Sequence, residues 1–490
     1  MKKLIFILSL LFLLQYSGII NAQWTPVKRL TYGYKDSNPD FNAMQNYEYQ
    51  YPWEFLIFQR QIDTASQICI MRLDKNGPVD SVKYLTSGNF IKRNPCIAYI
   101  ASGIVDTIRY AFALWESNQN GKWDIYGSYY SQSGGWTQSF PVDSSSENKF
   151  GPKAIMLNSD EFGITYTRGN DVIHRKYNAV LKSIISETNL TDTFSAVCKN
   201  PIIAYPRYNA MLINFRVEKF DGNYDVYSVQ AENGNSWERP RLIASIGNNN
   251  TSHISRNYGL SQEVFESERN GKKGIYSFVR IGASSGVTDV VLSSPNFNYY
   301  GMKSWLFPHI FADEFVSNVS AVIRKSSDSI KVLFDHQNWG KDSASIGDTS
   351  KNVSLALNNG VKNGWDYKFF VVFNMDTASY TSLYYRTRIY VSTGVHYIGN
   401  TLADKFALHQ NYPNPFNPTT KIKFDIPKLS DIKITVFDAV GREVKNLSQQ
   451  NLTAGSYEYD FNGANLSSGV YYFTLTSGEF KKTVKMLLMK

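Results

Sequence analysis

Residues 114–128 read LWESNQNGKWDIYGS: an apolar run, a polar turn carrying Asn-Gly, then a second run with Ile-Tyr. Residues 215–228, FRVEKFDGNYDVYS, and 264–277, VFESERNGKKGIYS, repeat the pattern. Asn-Gly and Asp-Gly supply the positive φ values that tight antiparallel hairpins need, so each segment predicts strand–turn–strand. Two further elements recur around these hairpins. GGWTQSFPVD (134–143) and NSWERPRLIA (235–244) each open an outer strand on Trp. SNPDF (37–41), RNPCIAY (93–99), FGPKAI (150–155) and KNPIIAY (199–205) each turn through a proline into an apolar strand. Their prolines stand 56, 57 and 49 residues apart.

A period near 55 residues with four strands per unit predicts a β-propeller. Six units fit between about residue 38 and residue 395, with weaker starts near Asn257 and Val316, and seven is the alternative. The stretch QWTPVKRLT (23–31) matches the outer-strand element, with Trp24 aligned on Trp136 and Trp237. A chain that begins with an outer strand is able to complete the last blade and remove two open sheet edges.

Composition supports an all-β class: 33 Tyr and 30 Phe, and hardly any amphipathic helical spacing. Lys2 and Lys3 followed by the apolar run Leu4–Leu14, with a small-residue end at Ala22, predict a signal peptide over 1–22. That run is too short to span a membrane and no other approaches the length, so an exported chain without a transmembrane segment is expected. Its formal net charge of +9 is spread without a long basic run, which gives no reason to expect nucleic-acid binding. Cys69, Cys96 and Cys198 form no metal-binding spacing, and at most one pair among them could bridge.

After residue 395 the repeat ends. Residues 396–419, rich in Pro, are expected as a linker, and short strand-like runs over 420–490 predict a small Ig-like β-sandwich. The stretch NYPNPFNPTTKIKFDIP (411–427), the strand–turn–strand ITVFDAVGREVKNL (434–447), AGSYEYDFNGANLSSGVYYFTLTSG (454–478) and KKTVKMLLMK (481–490) follow in order. Together they resemble the C-terminal sorting domain of type IX secretion substrates. Its motif would fall on Pro413, Pro415, Pro418, Gly441, Gly469, Tyr471, Lys481 and Lys485. The resemblance implies the type IX secretion machinery as a partner, and a final place outside the cell or on its surface.

For the front region, the hairpin turns are expected on one propeller face. They carry Glu116, Asn118, Asn120, Trp123 and Asp124 from one unit, and Glu218, Asp221, Tyr224 and Asp225 from another. Glu266 and Asn270 come from a third, and Asp335 and His336 from the last. Rings beside amides and carboxylates suit a sugar, because a ring stacks on the apolar face of a pyranose while polar groups hold its hydroxyls. The same residues also serve hairpin geometry and cross-strand pairing. ESNQNGKWD has the alternating oxygens and sixth-position Gly of a calcium loop, but Gly127 stands where the loop needs Glu. No other cofactor is suggested.

The repeats resemble sialidase-type or TolB-like propellers, and SQSGGWTQ (131–138) is similar to the sialidase turn box with Ser133 in place of Asp. Arg60, Arg93, Arg168 and Arg216 are candidates by location to clamp a carboxylate. No nucleophile elbow, zinc-protease or phosphate-loop motif is present, and His174, His253 and His309 are scattered. A binding module for polysaccharide or protein is the first expectation. A glycan-processing hydrolase or lyase on the same propeller, or a structural envelope protein, are the alternatives.

Overall fold

The computed structural model describes residues 25–41, 53–74, 76–101, 108–158, 160–204, 210–232, 236–257, 260–281, 287–306, 317–327, 329–334, 343–347, 353–357, 361–363, 366–376, 380–390, 395–399, 404–428, 430–452 and 454–490. The expected signal peptide and Trp24 lie outside them. The described residues form two compact units, one within 25–389 and one over 390–490. Both are built of antiparallel strands. No described helix is long and apolar enough to cross a membrane.

The first unit contains seven sheets among the described residues, each a meander of four strands, some with a short fifth. Their first strands are Lys35–Asp40, Lys92–Ala101, Lys149–Met156, Cys198–Ala204, Asn248–Asn257, Asn298–Leu306 and Leu355–Leu357. Among the described residues this is one sheet more than the six units expected. The first four starts coincide with the proline turns. The fifth and sixth begin upstream of the expected Asn257 and Val316, because their turns, NNNTSH and NYYGMK, carry no proline. The long last unit read over 316–395 accordingly divides between two sheets.

The proline turns are bulges within the first strands. Pairing with the second strand slips between Ser37 and Asp40, Arg93 and Cys96, Phe150 and Lys153, and Lys199 and Ile202. The residue before each proline is left-handed: Asn38, Asn94, Gly151 and Asn200 have φ of 49°, 51°, 64° and 51°. Asn and Gly are the residues that tolerate this region, which explains the Asn-Pro and Gly-Pro repeat.

The second strands are buried on both faces and therefore read as continuous apolar runs, such as EFLIF (54–58) and YAFALW (110–115). Alternate side chains serve opposite neighbours. In the first sheet, Ile57 packs with Ile97 of the second, while Leu56 and Phe58 join Phe370 and Val372 of the seventh. Phe112 and Phe162 share a core between the second and third sheets, and Ile155 and Ile213 between the third and fourth. Val226 and Phe265 do so between the fourth and fifth, and Val264 and Val322 between the fifth and sixth. Phe334 of the sixth meets Phe373 of the seventh at 5.9 Å between centroids. Each buried aliphatic or aromatic side chain contributes about 1.5–3 kcal/mol.

The seventh sheet is completed from the start of the chain. Lys28–Arg29 pairs with Thr381–Tyr390 in the register Lys28↔Tyr385 and Arg29↔Tyr384. Around it, Leu383 N–H donates to Thr31 Oγ1 at 2.9 Å, Arg29 Nη2 to Ser382 Oγ at 2.7 Å, and the Thr25 and Thr387 hydroxyls meet at 3.1 Å.

The second unit is a sandwich of two four-stranded sheets. One orders Val395–Gly399, Gly455–Asn462, Thr419–Ile426 and Ala407–Leu408; the other orders Glu443–Leu452, Ser430–Asp438, Gly469–Ser477 and Phe480–Leu488. Between them lie Phe424, Ile434, Tyr457, Phe461, Phe473 and Leu488. The expected linker over 396–419 is corrected here, because its described residues belong to this sandwich. Phe416 is 2% exposed within the core, its N–H donates to Leu487 O, and Met489 N–H donates to its carbonyl, both at 2.9 Å. Tyr412 pairs with Lys421, and Asn411 Nδ2 donates to Pro413 O and to Thr420 Oγ1. The Tyr412–Pro413 and Asn414–Pro415 peptide bonds are cis. The prolines thus shape a tight loop clasped by its neighbours, where an extended spacer was expected.

Candidate functional site

In the first unit, the hairpins between second and third strands lie beside the connections that enter the next sheet. Asn side chains join the two. Asn148, Asn248 and Asn298 accept, through Oδ1, the backbone N–H groups of Trp123, Tyr224 and Lys273 in the preceding sheets, at 2.9, 3.3 and 2.8 Å. Sequence reading missed these Asn residues, although each stands just ahead of a bulge.

The candidate cluster of the second sheet is largely consumed by this architecture. Glu116 is 1% exposed and accepts from Arg93 Nε at 2.7 Å, Asn94 Nδ2 at 2.9 Å and the Gly151 N–H of the next sheet at 2.8 Å. Asp124 is buried against Lys149 Nζ at 2.7 Å, with Lys122 Nζ at 3.4 Å. Asn118 Oδ1 caps Ile91 N–H, and Asn120 Nδ2 donates to Tyr126 Oη at 2.6 Å. Trp123 carries the Arg93 guanidinium 3.7 Å from its ring centroid and tilts against Phe150. The calcium reading finds no cage here, since cationic side chains already hold both carboxylates. Among the described residues no cluster of three metal-ligating side chains occurs.

In the fourth sheet, Tyr224 Oη donates to Glu218 Oε2 at 3.1 Å, and the Arg216 guanidinium covers its ring at 4.2 Å. Asp221 accepts from Asn223 N–H and Nδ2 within its own turn, which, with that turn as first cause, holds its carboxyl below the ordinary range. Asp225 faces Lys219 at 3.6 Å. Glu266 lines a polar pocket of about 80 Å³ with Arg216, Asn250 and Lys273. Asn270 occupies a left-handed turn position at φ 53°. Asp335 and His336 lie outside the described residues. Among the described residues the turn face gathers most candidates sheet by sheet, and Arg216 links Tyr224 of the fourth sheet to the Glu266 pocket of the fifth.

The arginines have settled partners. Arg60 makes a two-pronged ion pair with Asp36 at 2.8 and 2.9 Å, with Asp36 fully buried. Arg168 bonds Asp143 and Glu187, and Arg175 joins the same pair of carboxylates. Arg216 is the exception, with a buried Nε that lacks a hydrogen-bond partner. The Ser133 turn box is a hairpin whose Trp136 packs 5.5 Å from Phe55 and 5.4 Å from Tyr130. The three cysteines are free and buried, and burial pushes each thiol up to about 12, so they are inert packing groups. His174 is buried, its ring centroid 5.0 Å from that of Trp237 in an edge-to-face arrangement.

A second aromatic group escaped the sequence reading. Tyr34 and Tyr84, 42% and 47% exposed, flank Arg60: its guanidinium lies 4.1 Å from the Tyr34 ring and 5.7 Å from that of Tyr84. Arg60 Nη1 also donates to Tyr84 Oη at 3.3 Å. The buried Asp36–Arg60 pair fixes the cation, and the cation fixes a ring that keeps substantial solvent exposure. Tyr32 is 65% exposed nearby in sequence, with Arg29 4.5 Å from its ring. The only signal in the sequence was YGYKD (32–36), a Tyr-x-Tyr ahead of the first bulge.

In the second unit, Gly441 takes a φ of 82° in the turn closed by Asp438, whose Oδ1 accepts the N–H groups of Val440 and Arg442. Gly469 opens its strand at φ 156°. Pro413 and Pro418 offer carbonyls to Thr420 Oγ1 and Gly463 N–H, and Pro415 follows Asn414, whose Oδ1 accepts from Leu487 N–H. Tyr471 is buried and its hydroxyl donates to Ser467 O at 2.8 Å, a corner bond of the Ig-like type. Lys481 and Lys485 are exposed and alternate with the inward Val484, Met486 and Leu488.

Residues 410–489 match the secretion system C-terminal sorting domain family. No match to a curated protein sequence is found. Among solved structures, the chain is similar to PorZ, described as an essential surface component of the type IX secretion system of Porphyromonas gingivalis. The two share 13% identity and a TM-score of 0.39, over 95% of this chain and 61% of that one. It is also similar to the Hadza microbial sialidase Hz136, with 8% identity and a TM-score of 0.39 over 75% of this chain and 95% of that one. A mutant Trypanosoma rangeli sialidase with trans-sialidase activity shares 8% identity and a TM-score of 0.37, over 96% and 88%. The chain spans 61% of the length of the PorZ chain. The sorting domain indicates export to the cell surface or secretion, by way of the type IX machinery.

Proposed function

We propose that this type IX secretion substrate carries a closed seven-bladed β-propeller that binds polysaccharide, or another protein, outside the cell. In support of closure, cores are shared between each sheet and the next, and between the seventh and the first. The first strands also neighbour one another in one unbroken cycle. The observation that carries the binding role is the Tyr34–Arg60–Tyr84 group. Two exposed rings are held rigid by a buried ion pair, so little side-chain entropy is lost when a sugar ring stacks on them. The boundaries 23–395 for the propeller and 405–490 for the sorting region belong to the same proposal.

Sugar binding on this surface calls for stacking and hydrogen bonds, which exposed Tyr34 and Tyr84 are placed to give. The test is a glycan array with the secreted chain, repeated with Tyr34→Ala and Tyr84→Ala, alongside hydrolysis assays. Binding to a defined glycan that both variants weaken supports the proposal. Protein capture lost in the same variants would assign the protein ligand. Binding unaffected by either substitution, or turnover of a glycan, overturns the reading.

A further inference from the structure

Two junctions between sheets are built alike, but only one of the two is filled. Between the second and third sheets, Glu116 stands opposite Arg93, and its carboxylate reaches the Gly151 N–H of the next sheet at 2.8 Å. Lys149 follows the junction residue Asn148. Its buried ammonium meets Asp124 at 2.7 Å and the carbonyls of Ser145 and Glu147 at 2.8 and 2.9 Å. Between the fourth and fifth sheets the same two places hold Arg216, opposite Lys199, and Asn249, which follows Asn248. Neither is satisfied. Arg216 Nε is buried without a hydrogen-bond partner, and so is Asn249 Oδ1.

Asn249 is 1% exposed, and its Nδ2 donates to the carbonyls of Tyr224, Gly247 and Ala244 at 3.0, 3.3 and 3.5 Å. These bonds fix the amide, because the reverse orientation would set oxygen against oxygen. Its Oδ1 is thus held as an acceptor that lacks a donor. Asn249 and Arg216 both line the polar pocket of about 80 Å³. One face of the fifth sheet supplies the rest of the lining. There Asn250 pairs with Glu266, and Asn248 with Glu268, which pairs in turn with Lys273. Residues directly opposite in such ladders have Cβ atoms about 5 Å apart. Even so, among the described residues Arg216, Glu268 and Lys273 make no ion pair within 4.0 Å.

We propose that this pocket is a sugar subsite that takes two adjacent hydroxyls of a glycan. The ligand class rests on the polysaccharide reading above, while the residues are a separate set. The lining offers cationic donors in Arg216 and Lys273, carboxylate acceptors in Glu266 and Glu268, and the unmet amide acceptor of Asn249. Two cations and two carboxylates leave it without net charge, which favours a neutral ligand over an ion. A hydroxyl both accepts and donates, so one hydroxyl bridges Lys273 and Glu268, and its neighbour bridges Arg216 and Asn249. The bonds to the charged groups are charge-assisted. The Arg216 guanidinium rests 4.2 Å from the Tyr224 ring, whose own hydroxyl is held by Glu218, so this donor is fixed before a ligand arrives.

Saturation-transfer NMR of the full chain with the methyl glycosides of glucose, galactose and mannose, and with glycine as a zwitterionic probe, tests the subsite. Saturable binding of at least one glycoside is expected. Its analogue lacking one hydroxyl of the pair should bind about tenfold or more weaker, because the buried groups are again unmet. That comparison uses the parent protein and does not depend on how a variant folds. Glu268→Gln and Lys273→Met should each weaken the glycoside by about tenfold, with the thermal midpoint close to the parent's, since neither side chain has an ion pair to lose. No saturable glycoside binding, binding unchanged in both variants, or binding of glycine alone overturns the inference. The glycan array separates this failure from that of the reading beneath it. Glycan binding weakened by Tyr34→Ala and Tyr84→Ala but untouched by Glu268→Gln and Lys273→Met removes the subsite and leaves the polysaccharide reading standing. No glycan bound at all removes both.

Discussion

Glu116 reaches out of its own sheet: its Oε1 accepts the backbone N–H of Gly151, on the first strand of the next sheet, at 2.8 Å. The same carboxylate takes Arg93 Nε at 2.7 Å and Asn94 Nδ2 at 2.9 Å. One buried side chain thus ties together two left-handed bulges and the junction between two sheets. Glu116→Ala leaves the Gly151 N–H and Asn94 amide without their acceptor, at a cost of about 3 kcal/mol. Glu116→Gln keeps one acceptor oxygen and should cost less. Urea unfolding of the two variants reports the difference; equal midpoints to the parent would show that the clamp contributes nothing.

His174 gives the front unit an acid limit. Burial, with Lys176 adding to it, holds its imidazole down to about 3 in the folded protein, while the unfolded chain titrates near 6.5. Between those values the unfolded state binds a proton that the native state does not. The contribution is complete above about pH 6.5 and is lost as pH falls, reaching about 2 kcal/mol by pH 5. His174→Phe keeps a ring against Trp237 and removes the titration. Urea midpoints at pH 7.5 and pH 5 should fall further in the parent than in the variant, and equal falls would refute the assignment.

Asp143 acts at lower pH. Burial pushes its carboxyl up, but the Ser145 N–H, the Tyr166 hydroxyl and Arg175 together hold it down at about 2. The unfolded value is near 3.9, so its stabilisation is present above that and is lost as pH falls toward about 2. Asp143→Asn should cost about 2 kcal/mol at pH 7 and flatten the acid slope between pH 4 and 2. A variant with the parent's slope in that interval would refute it.

What the sequence disclosed, and what it withheld, follows from range. Asn-Gly hairpins and Asn-Pro bulges are local devices, so four sheet starts were readable from single residues. Where the fifth and sixth bulges used Thr-Ser-His and Gly-Met-Lys, no proline marked them and their starts were read too far downstream, which left two sheets inside the last unit. The candidate carboxylates were correctly placed at turns, yet their partners come from other strands. Lys149 lies 25 residues from Asp124, and Gly151 lies 35 from Glu116. Residue type alone could not show that Trp123 lies under Arg93, or that Tyr34, against Arg60, keeps 42% of its surface exposed. The prolines of 411–418 misled for a related reason: they suit an extended linker, and only Phe416 in the core and its bonds to Leu487 and Met489 show otherwise.

The Phe416 position yields a prediction for export. Its ring meets Phe461 at 5.9 Å inside the sandwich, and Phe416→Ala should cost that unit about 3–5 kcal/mol. A weakened sorting domain should reduce the amount of chain reaching the surface, and deletion of 405–490 should abolish it. Surface labelling of intact cells measures both. Undiminished display of the deletion variant would refute the assignment of this region as the export signal.

The start of the chain supplies the last test. Lys28–Arg29 covers an edge of the seventh sheet, and Leu30 enters the core shared by Leu56, Phe370 and Leu383. Removing residues 25–31 would uncover the backbone of Thr381–Tyr390 and open a cavity beside Phe370. The lost Leu30 burial alone is worth about 1.5–3 kcal/mol, and an uncovered strand edge is a template for pairing with a second chain. The truncated protein should therefore melt lower and shift toward dimers or larger species in light scattering after size exclusion. Point substitution separates the two effects: Leu30→Ala should lower stability while the chain stays monomeric. A truncated chain that melts with the parent and remains monomeric would mean that this strand does not close the seventh sheet in solution.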